Sequence, residues 1–467
     1  MNTTNVRRLG EHVRRFRARF VQGASGALSQ LLPQADLEAY VTHYAGSYRE
    51  RVYAPLVTLG LFVDQVLSAD QSCQDAVARG VSAQVAAGQL PGSLSTGPYC
   101  KARQRLAPEL LVRLSQALGQ RLCEAQPTWW RWRGREVKLI DGTTVSMPDT
   151  KTNQAQYPQG SQQKPGLGFP IARIVGIISL GCGAILEWAM GPCEGKKSGE
   201  NSMLWTMGAS LNAGDIVLAD RYYAGYFTLA RLLSLGVDVV TRQHQLRHTD
   251  FRRGQRLGKH DHAVTWTRPQ RPAWMDETAY CAMPEMLRLR ESRVGGWILV
   301  SSLCDARTVS KQDLLQLYGW RWQIELDFRA IKAVMQMDVL RCKTPAMILK
   351  EVAAHLLAYN LVRTVMAQAA SIASVLPRQL SFKAALQLLR AFEQQLRHGR
   401  HTRIECAHQG ILSAVGRMKL THRPARVEPR AVKRRPKNQP ILTQPRAVLR
   451  ACLKKKQQQH IERFNSA

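Results

Sequence analysis

The spacing of apolar and polar positions changes character along the chain and divides it into stretches. Residues 53–122 have helical periodicity. APLVTLGLFVDQVL (54–67) reads as a buried helix, and SADQSCQDAVARGV opens a second at Ser68. Ser95 or Thr96 can cap a short helix with Pro98 in its first turn, from which Lys101, Arg103 and Arg105 project. Lys101 and Arg105 are four apart and share a face. Pro108 opens a further helix with an apolar stripe at Leu110, Leu111, Leu114, Leu118 and Leu122.

At 136 the period shortens to that of strands. EVKLIDGTTV (136–145) reads as a strand ending in Asp141, and FPIARIVGIISL and AILEWAMGP form two more around the Gly181-Cys182-Gly183 turn. Residues 200–211 read as a helix. GDIVLADRYYAG (214–225) gives a short buried strand ending in Asp220, followed by a helix through Leu232, and LGVDVVTR adds a fifth strand. Three strands, helix, strand, helix, strand is the order of a ribonuclease-H-like core, an α/β fold with a mixed sheet between helices. From Gln243 to about Leu303 the strand-like pieces AVTWTRP, LRLRES and GGWILVSSL suggest a β-rich insertion. Residues 346–370 form an apolar helix, and Ser381 opens another.

One helical stretch departs from the usual pattern. YGWRWQIELDFRAIK (318–332) follows a helix start at Ser310 and Asp313. At 100° per residue, Arg321, Glu325 and Lys332 lie within about 60° of Tyr318. A core-facing stripe would be apolar, yet this face carries one acid, two bases and a phenol. An acid ringed by phosphate-seeking groups suits a metal ligand that works on nucleic acid. The competing reading is surface ion pairing, such as Arg321 with Glu325.

Charge supports a polyanionic partner. The 467 residues hold 66 Lys and Arg against 34 Asp and Glu, a net charge of +32. A membrane is disfavoured, because the most apolar run, Ile171–Met190, is broken by Arg173, Gly176, Gly181, Gly183 and Glu187. The N-terminus lacks the apolar core of a secretory signal, and ten cysteines without a CxxC pair fit a reducing cytoplasm. Residues 1–20 carry six arginines, and 417–456 carry fourteen Lys and Arg with the single acid Glu428. Both stretches read as arms on phosphate or as solvated basic segments. The short N-terminal helices read as a helix-turn-helix-like DNA reader or as a generic bundle.

Tyr-x2-Arg-x3-Glu-x6-Lys, with the strands and acids before it, resembles the signature of bacterial insertion-sequence transposases of the DDE class, specifically insertion-sequence family four. The resemblance spans roughly residues 50–440 and is tightest at 136–144, 214–226 and 318–332. It implies a division into an N-terminal helical DNA-binding domain (1–130), a ribonuclease-H-like core (131–242 and 306–345), a β-rich insertion (243–305) and a C-terminal helical region with a basic tail (346–467). In that fold the strands ending at Asp141 and Asp220 are neighbours and the helix of Glu325 crosses them, so the three carboxylates converge. Taken singly, each reads equally as a capping or turn acid.

Oxygen-only ligands suit magnesium, with two ions implied and manganese able to substitute. Asp215 starts the strand that Asp220 ends, about 16 Å away, and Asp327 points about 200° round the helix from Glu325. Glu187 lies mid-strand beside Trp188 without an evident partner. The resemblance assigns Tyr318, Arg321 and Lys332 to phosphates at the element end, and Trp297 to stacking on a flipped base, against a core-tryptophan alternative. His244, His248, His260 and His262 lack a conforming zinc ligand set and read as loop residues. The expected activity is metal-dependent cleavage at inverted repeats followed by strand transfer into target DNA, by a homodimer on paired ends. The alternatives are a nuclease that cuts without joining and a non-catalytic DNA-binding descendant.

Overall fold

A computed structural model describes residues 34–45, 52–86, 88, 90–195, 198–393, 401–420 and 442–465. The basic stretch 1–20 and much of the basic tail lie outside the described residues.

The central strands bury both faces. In β1 (Val137–Ser146), Leu139 and Val145 join Ile174, Leu218 and Val240 in one apolar cluster, whereas Ile140 joins Val175, Val217 and Val239 in another. Alternate side chains thus feed two cores, as in a sheet covered by helices on both sides. β2 (Ile171–Ser179) and β3 (Ile185–Pro192) add antiparallel strands on one side of β1. β4 (Ile216–Ala219) pairs parallel to β1, and β5 (Asp238–Arg242) parallel to β4. The order β3-β2-β1-β4-β5, mixed in direction, is that of a ribonuclease-H-like sheet.

The insertion strands β6 (Gln255–Gly258), β7 (Asp261–Thr267), β8 (Met286–Val294) and β9 (Trp297–Ser301) continue this same sheet. β9 pairs antiparallel with β5 (Thr241 opposite Val300), so nine strands run β3-β2-β1-β4-β5-β9-β8-β7-β6.

Before the sheet come α1 (Gln34–Ala45), α2 (Pro55–Leu67), α3 (Cys73–Ala86), α4 (Gly97–Arg105) and α5 (Pro108–Glu124). The leucine stripe of α5 is buried in the apolar cluster that also covers one face of the sheet. Lys101 and Arg105 are exposed on α4, but Arg103 does not project as its spacing suggests. It turns inward, with its guanidinium over the Phe62 and Tyr99 rings and hydrogen-bonded to Gln65.

Three helices differ from expectation. Ser68 does not open α3, which begins at Cys73; its N–H instead closes α2 on the Asp64 carbonyl. The stretch 200–211 yields only α6 (Glu200–Leu204), because Gly208 takes φ +139 and the Glu187 carboxylate gathers the N–H groups of Gly208 and Ser210 at 3.1 and 3.0 Å. That interaction supplies the partner that Glu187 lacked on paper. α7 (Tyr226–Ser234) follows β4.

The stretch through 318–332 is not one regular helix either. α8 (Lys311–Gly319), opened by a Ser310/Asp313 capping box, passes through a 3-10 turn at Trp320–Trp322 into α9 (Gln323–Arg329). It ends in a π turn at Ala330–Val334. α10 (Pro345–Ile372) is buried along most of its length between α5, the sheet and α11 (Phe382–Ala391). Among the described residues no helix is long and apolar enough to cross a membrane.

Candidate active site

β1 does not stop at Asp141. It stays paired with β2 to Ser146, while its pairing with β4 ends at Ile140 opposite Ala219. Asp141 and Asp220 are therefore the next residues on two parallel neighbours, at the point where the strands part. Asp220 caps the following 3-10 turn by accepting the Tyr222 N–H at 2.7 Å, and Asp141 accepts the Gly142 N–H at 2.8 Å.

α9 crosses on the face of β1 that carries Leu139 and Val145. Arg321 reaches Asp141 at 3.3 Å and Glu325 at 2.8 Å, so one guanidinium joins carboxylates from β1 and α9. The i,i+4 pair of the competing reading is therefore present, as one arm of a fork whose other arm lies far away in sequence. Lys332 donates to the Thr143 hydroxyl at 3.3 Å, one alternation further along β1. The π turn keeps this lysine over the strand.

Burial pushes the Asp141 carboxyl up to about 6, with the charges of Asp220 and Glu200 adding to the rise and the Gly142 N–H and Arg321 opposing it. Burial disfavours the charge of Arg321, but Glu325, Tyr318 and Asp141 together raise its pKa. Burial also raises the Tyr318 phenol. That ring is 5% exposed and meets Trp297 edge-on at 5.6 Å. Trp297 itself is 37% exposed at the start of β9.

The donor chemistry at this end of the sheet, carboxylate oxygens converging without sulfur or imidazole, fits a hard divalent cation. As placed, no group of three or more His, Cys, Asp or Glu among the described residues is close enough to hold a metal, and the Arg321 guanidinium takes the cationic role between Asp141 and Glu325. Lys101 and Arg105 lie elsewhere, at the edge of a groove of about 480 Å³ floored by Val57, Leu61 and Val81. Of the histidines, His262 is no loop residue; it is buried on β7, held by the Arg253 carbonyl and Glu291.

Sequence reasoning missed three contributors. Arg242 ends β5, next to Asp220 by register, and its guanidinium stands 5.5 Å over the Trp297 ring. Its strand-end position was a readable signal. Glu200 reaches the Asp141 end from the opposite sheet face, which no local pattern reveals. Asp327, correctly expected to face away from Glu325, is fully buried, and its carboxylate binds Arg378 at 2.6 and 2.7 Å, Tyr359 at 3.0 Å and Arg363. It fastens α9 to α10 and to the turn before α11.

A family described as "Transposase DDE domain" matches residues 132–361. The chain is 29% identical over 361 residues to "Transposase InsG for insertion sequence element IS4" of Escherichia coli (strain K12), covering 74% of this chain and 79% of that one. A solved structure, "Cryo-EM structure of piggyBac transposase synaptic complex with hairpin DNA", aligns over 88% of this chain and 86% of that one with a TM-score of 0.42 and 8% identity, a likeness too slight to argue from. The family match spans the sheet from before β1 through α9 into α10, and the similarity to the insertion-sequence relative extends over most of the chain; together they support a DDE transposase of the IS4 type.

Proposed function

We propose that the protein cuts DNA at the ends of its element and joins the freed ends to target DNA, with Asp141, Asp220 and Glu325 as the catalytic carboxylates. The observation that carries this reading is the Arg321 fork. It joins Asp141 to Glu325 across the sequence, at the one place where β1 and β4 separate beside Asp220. Asp141, Asp220 and Glu325 are the residues that would hold a divalent ion of the magnesium class, which would supply the charge that activates water and steadies the departing 3′ oxygen.

The first step breaks the bond between phosphorus and the 3′ oxygen. The water oxygen becomes bonded to phosphorus, and the 3′ oxygen leaves as a hydroxyl. In the second step that hydroxyl oxygen attacks a phosphorus of the target strand, and a P–O bond of equal kind breaks, so no energy source is required. The protein's own side chains hold the strand in place. Arg321 offers a planar fork to phosphate oxygens and Lys332 a point charge. Trp297, with the buried Tyr318 ring packed edge-on against it, presents a face on which an unstacked base can rest, and the Tyr318 hydroxyl joins Arg321 and Lys332 toward phosphate. Lys101 and Arg105 meet phosphates of the inverted repeat from α4, within an N-terminal helical DNA-binding domain. Two copies act on paired ends.

The test is cleavage of a duplex carrying the element's own end in magnesium, wild type against Glu325→Ala. Cleavage at the junction by wild type alone supports the reading, and joining of a pre-cut end to a plasmid separates a transposase from a plain nuclease. Equal cleavage by both proteins places the chemistry elsewhere. Binding without cleavage by either means a DNA-binding protein only.

A further inference from the structure

Glu200 takes no part in the assignment above, yet it touches the supports of both strand-end aspartates. It begins α6 on the sheet face opposite Glu325, and three of its surroundings are unusual. Its Oε2 accepts a hydrogen bond from the Tyr223 hydroxyl at 3.0 Å, and Tyr223 is fully buried in the turn that Asp220 caps. Its Oε1 lies 3.8 Å from Arg173, whose other nitrogen donates to the Ser198 carbonyl at 2.9 Å just before α6. Its carboxyl group also fills the space where a side chain at position 142 would stand. A Cβ on Gly142 would come within 2.4 Å of the Glu200 Cδ.

The neighbouring Asn201 repeats the pattern. Its amide donates to the Tyr222 carbonyl at 3.2 Å and accepts from Thr228 at 3.2 Å. α6 is thus fastened to the Asp220 turn at several points, while one of its side chains lies flat against β1 beside Asp141.

We propose that Glu200 is a positioning residue that sets the spacing of Asp141 and Asp220, bracing both from behind while α9 closes over them from in front. Glycine at 142 follows from this arrangement, because only a residue without a side chain lets a carboxylate lie against β1 at that point. Charge fits the same role. Glu200 adds to the negative field at Asp141, which favours a cation there, while its own charge is partly met by Arg173. The inference rests on the catalytic assignment of Asp141 and Asp220.

Its test needs a readout beyond turnover. Manganese binding to the DNA-free protein, followed by electron paramagnetic resonance, is measured for wild type, Glu200→Ala, Glu200→Gln, Tyr223→Phe and Gly142→Ala, beside the magnesium dependence of cleavage. Glu200→Ala is expected to weaken manganese binding about tenfold and to raise the magnesium needed for half-maximal cleavage by a similar factor. Glu200→Gln, which keeps an acceptor for Tyr223, recovers part of the loss. Tyr223→Phe weakens binding by a smaller factor and tests the contact even if Glu200→Ala fails to fold. Gly142→Ala, whose methyl displaces the carboxylate, matches Glu200→Ala, and the double variant is no worse than either alone.

Unchanged metal binding in Tyr223→Phe and Glu200→Gln, or losses that simply add in the double variant, overturns the proposal. If Glu325→Ala abolishes cleavage while Glu200→Ala keeps wild-type metal dependence, only this inference falls. If Glu325→Ala still cleaves, the catalytic assignment falls first.

Discussion

The two ends of the β1–β4 pair hold aspartates in opposite ways. At the end where the strands begin, the two aspartates each have a cation of their own. Asp215 binds Lys138 with both side chains buried, Asp238 binds Arg135, and the Lys138 ammonium also meets the Ser210 carbonyl. At the end where the strands part, carboxylates share. One guanidinium serves Asp141 and Glu325, and the Asp141 carboxyl is lifted to about 6 by burial among like charges. A buried, fully matched pair contributes to a specific fold, whereas clustered acids with one shared counter-charge are poised to take a cation. The same residue type on the same strands thus divides by partner, not by position in the sequence.

The largest expected effect breaks the comparison at the shared end. Asp141→Asn, Asp220→Asn and Glu325→Gln each lower end cleavage by roughly a thousandfold in a gel-based assay, while urea unfolding changes little. A variant that unfolds instead would move its acid into the structural class. The matched end should behave in reverse. Asp215→Ala leaves Lys138 buried and uncompensated and costs about 3–5 kcal/mol in urea unfolding, and Lys138→Met combined with Asp215→Leu recovers most of that. If the double variant is as unstable as the single one, the pair is not what holds that end.

Arg321→Ala is expected to lower cleavage by roughly ten- to a hundredfold, with Arg321→Lys recovering only part, since an ammonium cannot bridge two carboxylates or fork onto a phosphate. Full recovery by lysine would reduce the fork to simple charge.

The smallest effect is one of pH. Asp141 holds its proton more tightly folded than unfolded, so its contribution to stability is full below the ordinary value of 3.8 and is lost as pH rises through about 6. In metal-free buffer, wild type should therefore lose stability relative to Asp141→Asn between those values and run parallel to it above them. Parallel curves throughout would show that Asp141 is not held apart from water.

The five core strands and their succession along the chain were readable because short runs buried on two faces leave a continuous apolar trace, as at Ile216–Ala219. The shared face of Tyr318, Arg321, Glu325 and Lys332 was readable from helical spacing, although the path between them changes from 3-10 to α to π. What escaped depends on meetings across the fold. The helix expected over 200–211 yields to a carboxylate from β3, β1 runs past Asp141 because β2 stays beside it, and Arg103 turns inward to rings on other helices. Glu200 looks like an ordinary first-turn acid until Gly142 and Tyr223 are brought against it.

Asp327 bears on how copies of such a gene decay. Asp327→Ala removes the carboxylate that two buried guanidinium groups share, leaving the Tyr359 hydroxyl only the Gly183 carbonyl and Arg378 only backbone carbonyls. Asp327→Ala is therefore expected to lose activity through lost stability, by about 3–5 kcal/mol, with the three proposed catalytic acids intact. A residue two places from Glu325 thus carries the fold by facing the other way round the same helix, so loss of a working protein need not touch any of the three proposed catalytic acids.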